Sequence, residues 1–192
     1  MASKVAIANF ALAAELGVDQ ITSLSDDNKA ARLVSLYYDD TAKEVMSMGA
    51  WSSATFRQTL AQDTTAPGWQ FSYRYVLPTN PRFLGLLKLN ELKPGDIPHK
   101  IESGYLLTDE ASVKILYKGF QADTETYSPE LQRAIVLALA SRLCYALTGN
   151  VQLKTTLLAE FQFAVDAGLA SDGMNSQDDD LTVTDDLKDV RR

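Results

Sequence analysis

Leu131, Ile135, Leu139, Leu143 and Leu147 recur every four residues, with Ala134, Ala138, Ala140 and Ala146 beside them. A row at that spacing runs along one side of an α-helix, and small residues beside it let a second helix come close. Ser128 is a good N-cap, and Pro129 takes the first helical position, where its missing N–H costs nothing. Gly149-Asn150 is the stop, so helix is predicted over 129–148. A stripe this apolar has to be hidden against other elements.

Three further segments carry helical spacing. Val5, Ala6, Phe10, Ala13 and Leu16 mark a helix near 3–16 that stops at Gly17. Ser25 or Asp26 caps a second, near 27–48, with Ala30, Leu33, Val34, Tyr37, Tyr38, Thr41, Val45 and Met48 on one face and Gly49 as terminator. Leu153, Leu157, Leu158, Phe161, Val165 and Leu169 mark a fourth over 151–170. Four amphipathic helices can hide their stripes against each other, which predicts one antiparallel bundle.

Between the second and third helices the texture changes. Residues 50–82 hold Trp51, Trp69 and a Pro67-Gly68 turn signal, and Phe71 to Leu77 alternates until Pro78 breaks it. Short strands are predicted over 84–92, 100–105, 106–107 and 112–119, with a turn at Pro94-Gly95-Asp96. The turn Asp109-Glu110-Ala111 is expected to join two of them as a hairpin. The predicted fold class is mainly α with a β insert (α+β): a helical bundle with a small antiparallel β unit, about 70–120, inserted between helices two and three. Residues 1–171 form a single domain and 172–192 an acidic tail with seven acids and three bases.

Composition narrows the chemistry. The chain of 192 residues has a formal net charge of -7, so it has no general attraction for phosphate backbones. His99 and Cys144 are the only residues of their kinds, which excludes a Cys-rich zinc site, a paired-His metal site and an intramolecular disulfide. The apolar run from Val5 to Ala14 raises the question of a signal peptide, but Asn9 interrupts it and Glu15 ends it. The reading is a short core helix, a cytoplasmic origin and no further stretch long enough to span a bilayer.

No glycine-rich phosphate loop, dinucleotide fingerprint or G-x-S-x-G elbow is present. His99 would need an orienting acid to act as a base, and Asp96 is the only near candidate, so it reads as a turn histidine. Cys144 sits in an apolar helix with no basic neighbour aimed at it. The pairs Asp39-Asp40 and Asp109-Glu110 and the run Asp178-Asp179-Asp180 are the carboxylates that hydrolysis or a divalent cation could use, and they read as solvated faces. No catalytic, cofactor-binding or metal residue is assigned. The aromatics Tyr37, Tyr38, Trp51, Phe56, Trp69, Phe71, Tyr73 and Tyr75 read as a core pinning the β insert to helix two, or as a contact surface.

The order A-L-A-A-E-L-G at 11–17, I-T-S-L at 21–24, an acid-rich cap and a helix ending in G-A-W at 49–51 resembles the N-terminal signature of phage head-to-tail adaptors, the podovirus tail tubular protein A family. W-Q-F-S-Y-R-Y-V-L-P-T-N at 69–80, Y-L-L-T at 105–108, I-L-Y-K at 115–118 and Y-S-P-E-L at 127–131 continue the resemblance over nearly the whole chain. It implies a structural ring subunit in the virion neck or tail, made in the host cytoplasm and not an enzyme. The implied partners are other copies of the chain in a dodecameric ring, the portal protein above and the tail nozzle protein below. DNA would pass through the channel without specific binding, and no membrane is involved. An acidic chain suits such a duct, because carboxylates repel phosphates.

On that reading the β insert makes the downstream contact, through Trp69, Tyr73, Tyr75 and the turn carrying Pro94, Asp96 and His99. In the tail, Leu181, Val183, Leu187 and Val190 are spaced to lay one apolar edge on the portal or a neighbouring copy during assembly. The alternatives are a tail-associated glycan hydrolase using paired carboxylates, and a small cytoplasmic binding module.

Overall fold

A computed structural model describes residues 3–175. Its helices are α1 (Lys4–Asn9), continued by π-helical winding over Phe10–Glu15, then α2 (Lys29–Met48), α3 (Pro129–Thr148) and α4 (Val151–Asn175). Its strands are β1 (Thr55–Thr59), β2 (Tyr73–Val76), β3 (Arg82–Leu89), β4 (His99–Glu102), β5 (Tyr105–Thr108) and β6 (Lys114–Phe120).

Strands and helices each enclose a core of their own, which corrects the expectation of a bundle with one small insert. The strands form two three-stranded antiparallel sheets, ordered β1-β6-β3 and β2-β5-β4. The chain leaving β1 stitches the two sheets together: Asp63 N–H donates to the Arg74 carbonyl at 2.7 Å and Val76 N–H to the Ala61 carbonyl at 3.2 Å. Between the sheets lie Leu60, Tyr75, Leu77, Leu89, Ile97, Leu106, Val113, Ile115 and Tyr117. The β part therefore begins at Thr55, not near 70. The fold is α+β, with strands in the middle of the chain and helices at both ends.

The turn at 109–111 is not a hairpin, because β5 and β6 belong to different sheets. The hairpin joins β4 to β5 through Ser103 and Gly104, both at positive φ (48° and 83°). That is the backbone of a primed two-residue turn, whose twist matches that of the flanking strands.

Every other helix packs on α3. Its buried residues include Leu131, Ala134, Ile135, Val136, Leu137, Ala138, Leu139, Ala140 and Leu143, so it is covered on nearly all sides. Among the described residues α3 is also the one helix long and apolar enough to cross a membrane, contrary to the expectation that no stretch would be. Most of it is buried in this core, which accounts for its apolarity. Its ends are as predicted: the Ser128 side chain accepts from Leu131 N–H, and Gly149 stops the helix at φ 68°.

α2 begins later than expected. Asn28 is the cap, its side chain accepting from Ala31 N–H at 2.8 Å. Asp26 instead closes the preceding turn by accepting from the Thr22 and Ser23 amides. These two amide bonds hold the Asp26 carboxyl below its ordinary value. Replacing Asn28 by Ala should cost about 1 kcal/mol, read as a lower urea midpoint at unchanged slope. Gly49 ends α2 in extended backbone, so conformation does not require glycine there. Space does: an added Cβ would run into the Leu169 side chain of α4.

Two faces differ from their expected stripes. In α1 and its π-helical extension Ile7, Ala8, Ala11 and Leu12 are buried, and Phe10 is 62% exposed. In α2 Ala31, Ala42 and Met46 are buried, while Tyr37 and Met48 are exposed. Both segments carry apolar residues on more than one side, so spacing alone offers two stripes.

Trp51 ties the halves together. It is fully buried, its indole N–H donates to the Val45 carbonyl at 3.0 Å, and Gly168 of α4 lies against its ring. The adjoining Ser52 donates through its amide and its Oγ to Asp172, the Oγ bond being 2.7 Å. Asp172, read as the first acid of the tail, is thus a buried residue of α4. The β unit leans on α2 through β6 and β3, where Lys118 donates to the Ser47 carbonyl and Lys43 lies over the Phe120 ring.

Candidate functional site

α4 bears apolar residues around its whole circumference, and among the described residues it packs chiefly on α3 and the Trp51 region. Leu157, Val165 and Gly168 turn inward. Val151, Leu158 and Phe163 are exposed, Phe163 at 75%. An apolar helix of a water-facing domain is ordinarily covered on its apolar faces. Beside Phe163 a groove of about 920 Å³ runs between the two helices. Pro129, Glu130, Arg133 and Leu137 form its α3 wall, and Ala159, Glu160, Phe163, Ala167 and Ser171 are among those on its α4 wall. Arg133 stands at the rim, with Nη1 on Glu15 at 2.5 Å and Nη2 3.8 Å from Glu160. Sequence spacing placed Leu158 in the buried stripe and passed over Phe163. The signal for an open face was the even spread of apolar residues around α4.

The second exposed feature is the loop between β1 and β2. Trp69 at its tip is 76% exposed, beside Gln70 at φ 74°. Below it Asp63 pairs with Arg74 at 2.9 Å, and Arg74 lies over the Tyr105 ring. The Thr65 amide bond, followed by Arg74, holds the Asp63 carboxyl below its ordinary value. Tyr73 is half-buried beside the β core.

Tyr75 does not join this surface. It is 1% exposed, and its hydroxyl donates to the Glu110 carbonyl at 2.7 Å, so it belongs to the β core. Burial pushes its hydroxyl pKa up. The turn from Pro94 to His99 leaves Asp96 exposed and Pro94 and His99 half-buried, but Ile97 between them reaches the core. The tail positions Leu181, Val183, Leu187 and Val190 lie outside the described residues.

Asp178, Asp179 and Asp180 lie outside the described residues; the other side chains weighed for chemistry are engaged elsewhere. Asp96 accepts from the Lys93 amide at 3.2 Å, while His99 Nδ1 lies 2.9 Å from the Ile97 carbonyl, so the acid does not orient the ring. Cys144 is buried, its Sγ 3.3 Å from the Asn150 carbonyl. Asp39 and Asp40 pair with different lysines, Lys4 at 2.7 Å and Lys43 at 3.1 Å. Asp109 accepts from the amide and hydroxyl of Ser72. Among the described residues no three His, Cys, Asp or Glu side chains gather where they could hold a metal ion.

Large exposed apolar side chains thus stand on α4 and at the Trp69 loop, on different units of the fold. No known family model matches the chain, and no curated protein matches it either.

Proposed function

We propose that the chain is a structural subunit of a viral head-to-tail connector ring, joining the portal to the tail nozzle around the DNA ejection channel. Exposed apolar groups on unlike elements carry this reading: Val151, Leu158 and Phe163 on α4, Leu36 on α2 and Trp69 on the β unit. A ring closes through heterologous contacts, in which one surface of a subunit meets a different surface of the next. Large exposed apolar groups on separate elements supply such unlike surfaces. The ordered resemblance of the chain to the tail tubular protein A family supplies the portal and nozzle as partners, and the net charge of -7 suits a channel that releases DNA.

Sedimentation and negative-stain imaging of the purified chain, alone and mixed with portal, test the proposal. A ring is expected, at least when portal is present. Leu158→Asp should weaken assembly, since the residue is exposed and its loss spares the core. Trp69→Ala should weaken nozzle binding about tenfold or more with the fold intact, as an exposed tryptophan is a frequent anchor of protein interfaces. Deleting 94–99 is the poorer probe, because it removes Ile97 from the β core. A chain that stays monomeric with and without portal overturns the reading.

A further inference from the structure

Charge is unevenly divided along the chain. Residues 55–120, the β unit, carry eight bases and six acids, whereas the helical residues 3–54 and 121–175 carry seven bases and thirteen acids. Half of the bases of the β unit stand on the outer face of the sheet β1-β6-β3. Successive residues of a strand point to opposite faces. Ile115 and Tyr117 of β6 lie in the β core, so Lys114, Leu116 and Lys118 turn outward. Arg57 of β1 and Lys88 of β3 both pair with Leu116 in register, one on each side of it. α2 covers one end of this face, where Lys118 reaches the Ser47 carbonyl and Phe120 packs on the helical core. The other end is open. Arg57 and Lys114 are exposed there, and among the described residues neither has an ion-pair partner. Glu110 stands past that end, 3.4 Å from the Asn90 side-chain amide.

The groove between α3 and α4 has the opposite sign. Glu130 and Glu160 line it, and Asp166 is exposed on α4 one turn beyond Phe163. Arg133 is the one base in its described lining. It is held between Glu15 and Glu160, so that level keeps a net negative charge.

We propose that the open end of the sheet face of one copy docks in the α3–α4 groove of the next. Leu116 faces Phe163, and Arg57 and Lys114 face Glu160 and Asp166. The spacing of the charges matches. Six residues of α4 separate Glu160 from Asp166, a rise of about 9 Å. Arg57 and Lys114 stand one strand apart and two residues out of register, a separation of about 8 Å. Among the described residues the groove draws none of its lining from α2 or the strands, so a chain does not seat its sheet face in its own groove. Contact between unlike faces of successive copies is the head-to-tail geometry that closes a ring. The proposal rests on the ring reading and names the two faces that meet in it.

The test is charge reversal in the full chain, with assembly followed by sedimentation against concentration, alone and on portal. R57E/K114E and E160K/D166K should each raise the concentration needed for assembly about tenfold or more, since like charges then face each other. All four residues are exposed, so circular dichroism should not change. The fourfold variant, with both faces reversed, should assemble within about threefold of the unaltered chain. That recovery excludes misfolding as the cause of either loss. A fourfold variant no better than the weaker pair overturns the proposal. So does a pair that assembles normally but no longer binds portal or nozzle, because it assigns that face to another partner. Rings that form at unaltered concentration in both pairs remove this contact and leave the ring reading standing. An unaltered chain that stays monomeric with and without portal removes both.

Discussion

Trp51→Ala should be the most damaging single substitution, lowering stability by about 3–5 kcal/mol. Trp51 is the largest fully buried side chain, and its removal opens a void where three segments meet. The end of α2 loses the indole bond to the Val45 carbonyl. α4 loses the ring against which Gly168 is set: a Cβ there would come within 2.9 Å of the indole. The short turn before β1 loses its anchor as well. A urea titration followed by circular dichroism at 222 nm measures the loss. A change under 1 kcal/mol would mean that α4 does not close over this ring. Trp51→Phe, which keeps an aromatic ring but not the N–H, should recover much of the difference.

The second large effect is expected in the other core. Leu106→Ala removes a fully buried side chain between the two sheets and should cost about 2–5 kcal/mol. Its location matters as much as its size. The helical and β cores are separate clusters, and the sheets touch the helices chiefly through β6 and β3 against α2. Hydrogen exchange should therefore accelerate most at the amides of β2, β4 and β5, and least at those of α3. Equal acceleration throughout would show that the two cores open as one unit.

The limits of α3 were legible because three independent local signals agreed: the Ser128 cap, Pro129 at the first position and Gly149 after the last. The face of α2 was less so. Tyr37 and Tyr38 are equally good core residues by type, and only packing chose Tyr38, which joins the helical core with Lys4 of α1 over its ring. The scale of the β part was missed because β1, Thr55–Thr59, carries Arg57, Gln58 and two threonines and has little buried surface. Its place comes from its partner β6, sixty residues later in the chain. The Ser103-Gly104 pair was a readable hairpin signal that went unused. As for the candidate site, Trp69 stood out by type, and the four-residue row Leu153, Leu157, Phe161 and Val165 set Phe161 toward the core and left Phe163 off it. Whether the Phe163 side would be covered by another element was not readable within α4.

The bond between Ser52 and Asp172 joins residues 120 positions apart. Its effect is on the order of events during synthesis. The β unit, residues 55–120, holds all its strand partners within itself and can form while the chain is still growing. The helical half has no such freedom. α1 and α2 are made early, but the element they pack on, α3, emerges only after the sheets, and α4 later still. Until then Ile7, Leu12, Val34 and Val45 remain uncovered on the nascent chain. That interval is when this protein is most open to chaperones and to aggregation, and it closes when α4 seats on Trp51 and Asp172 takes the Ser52 amide.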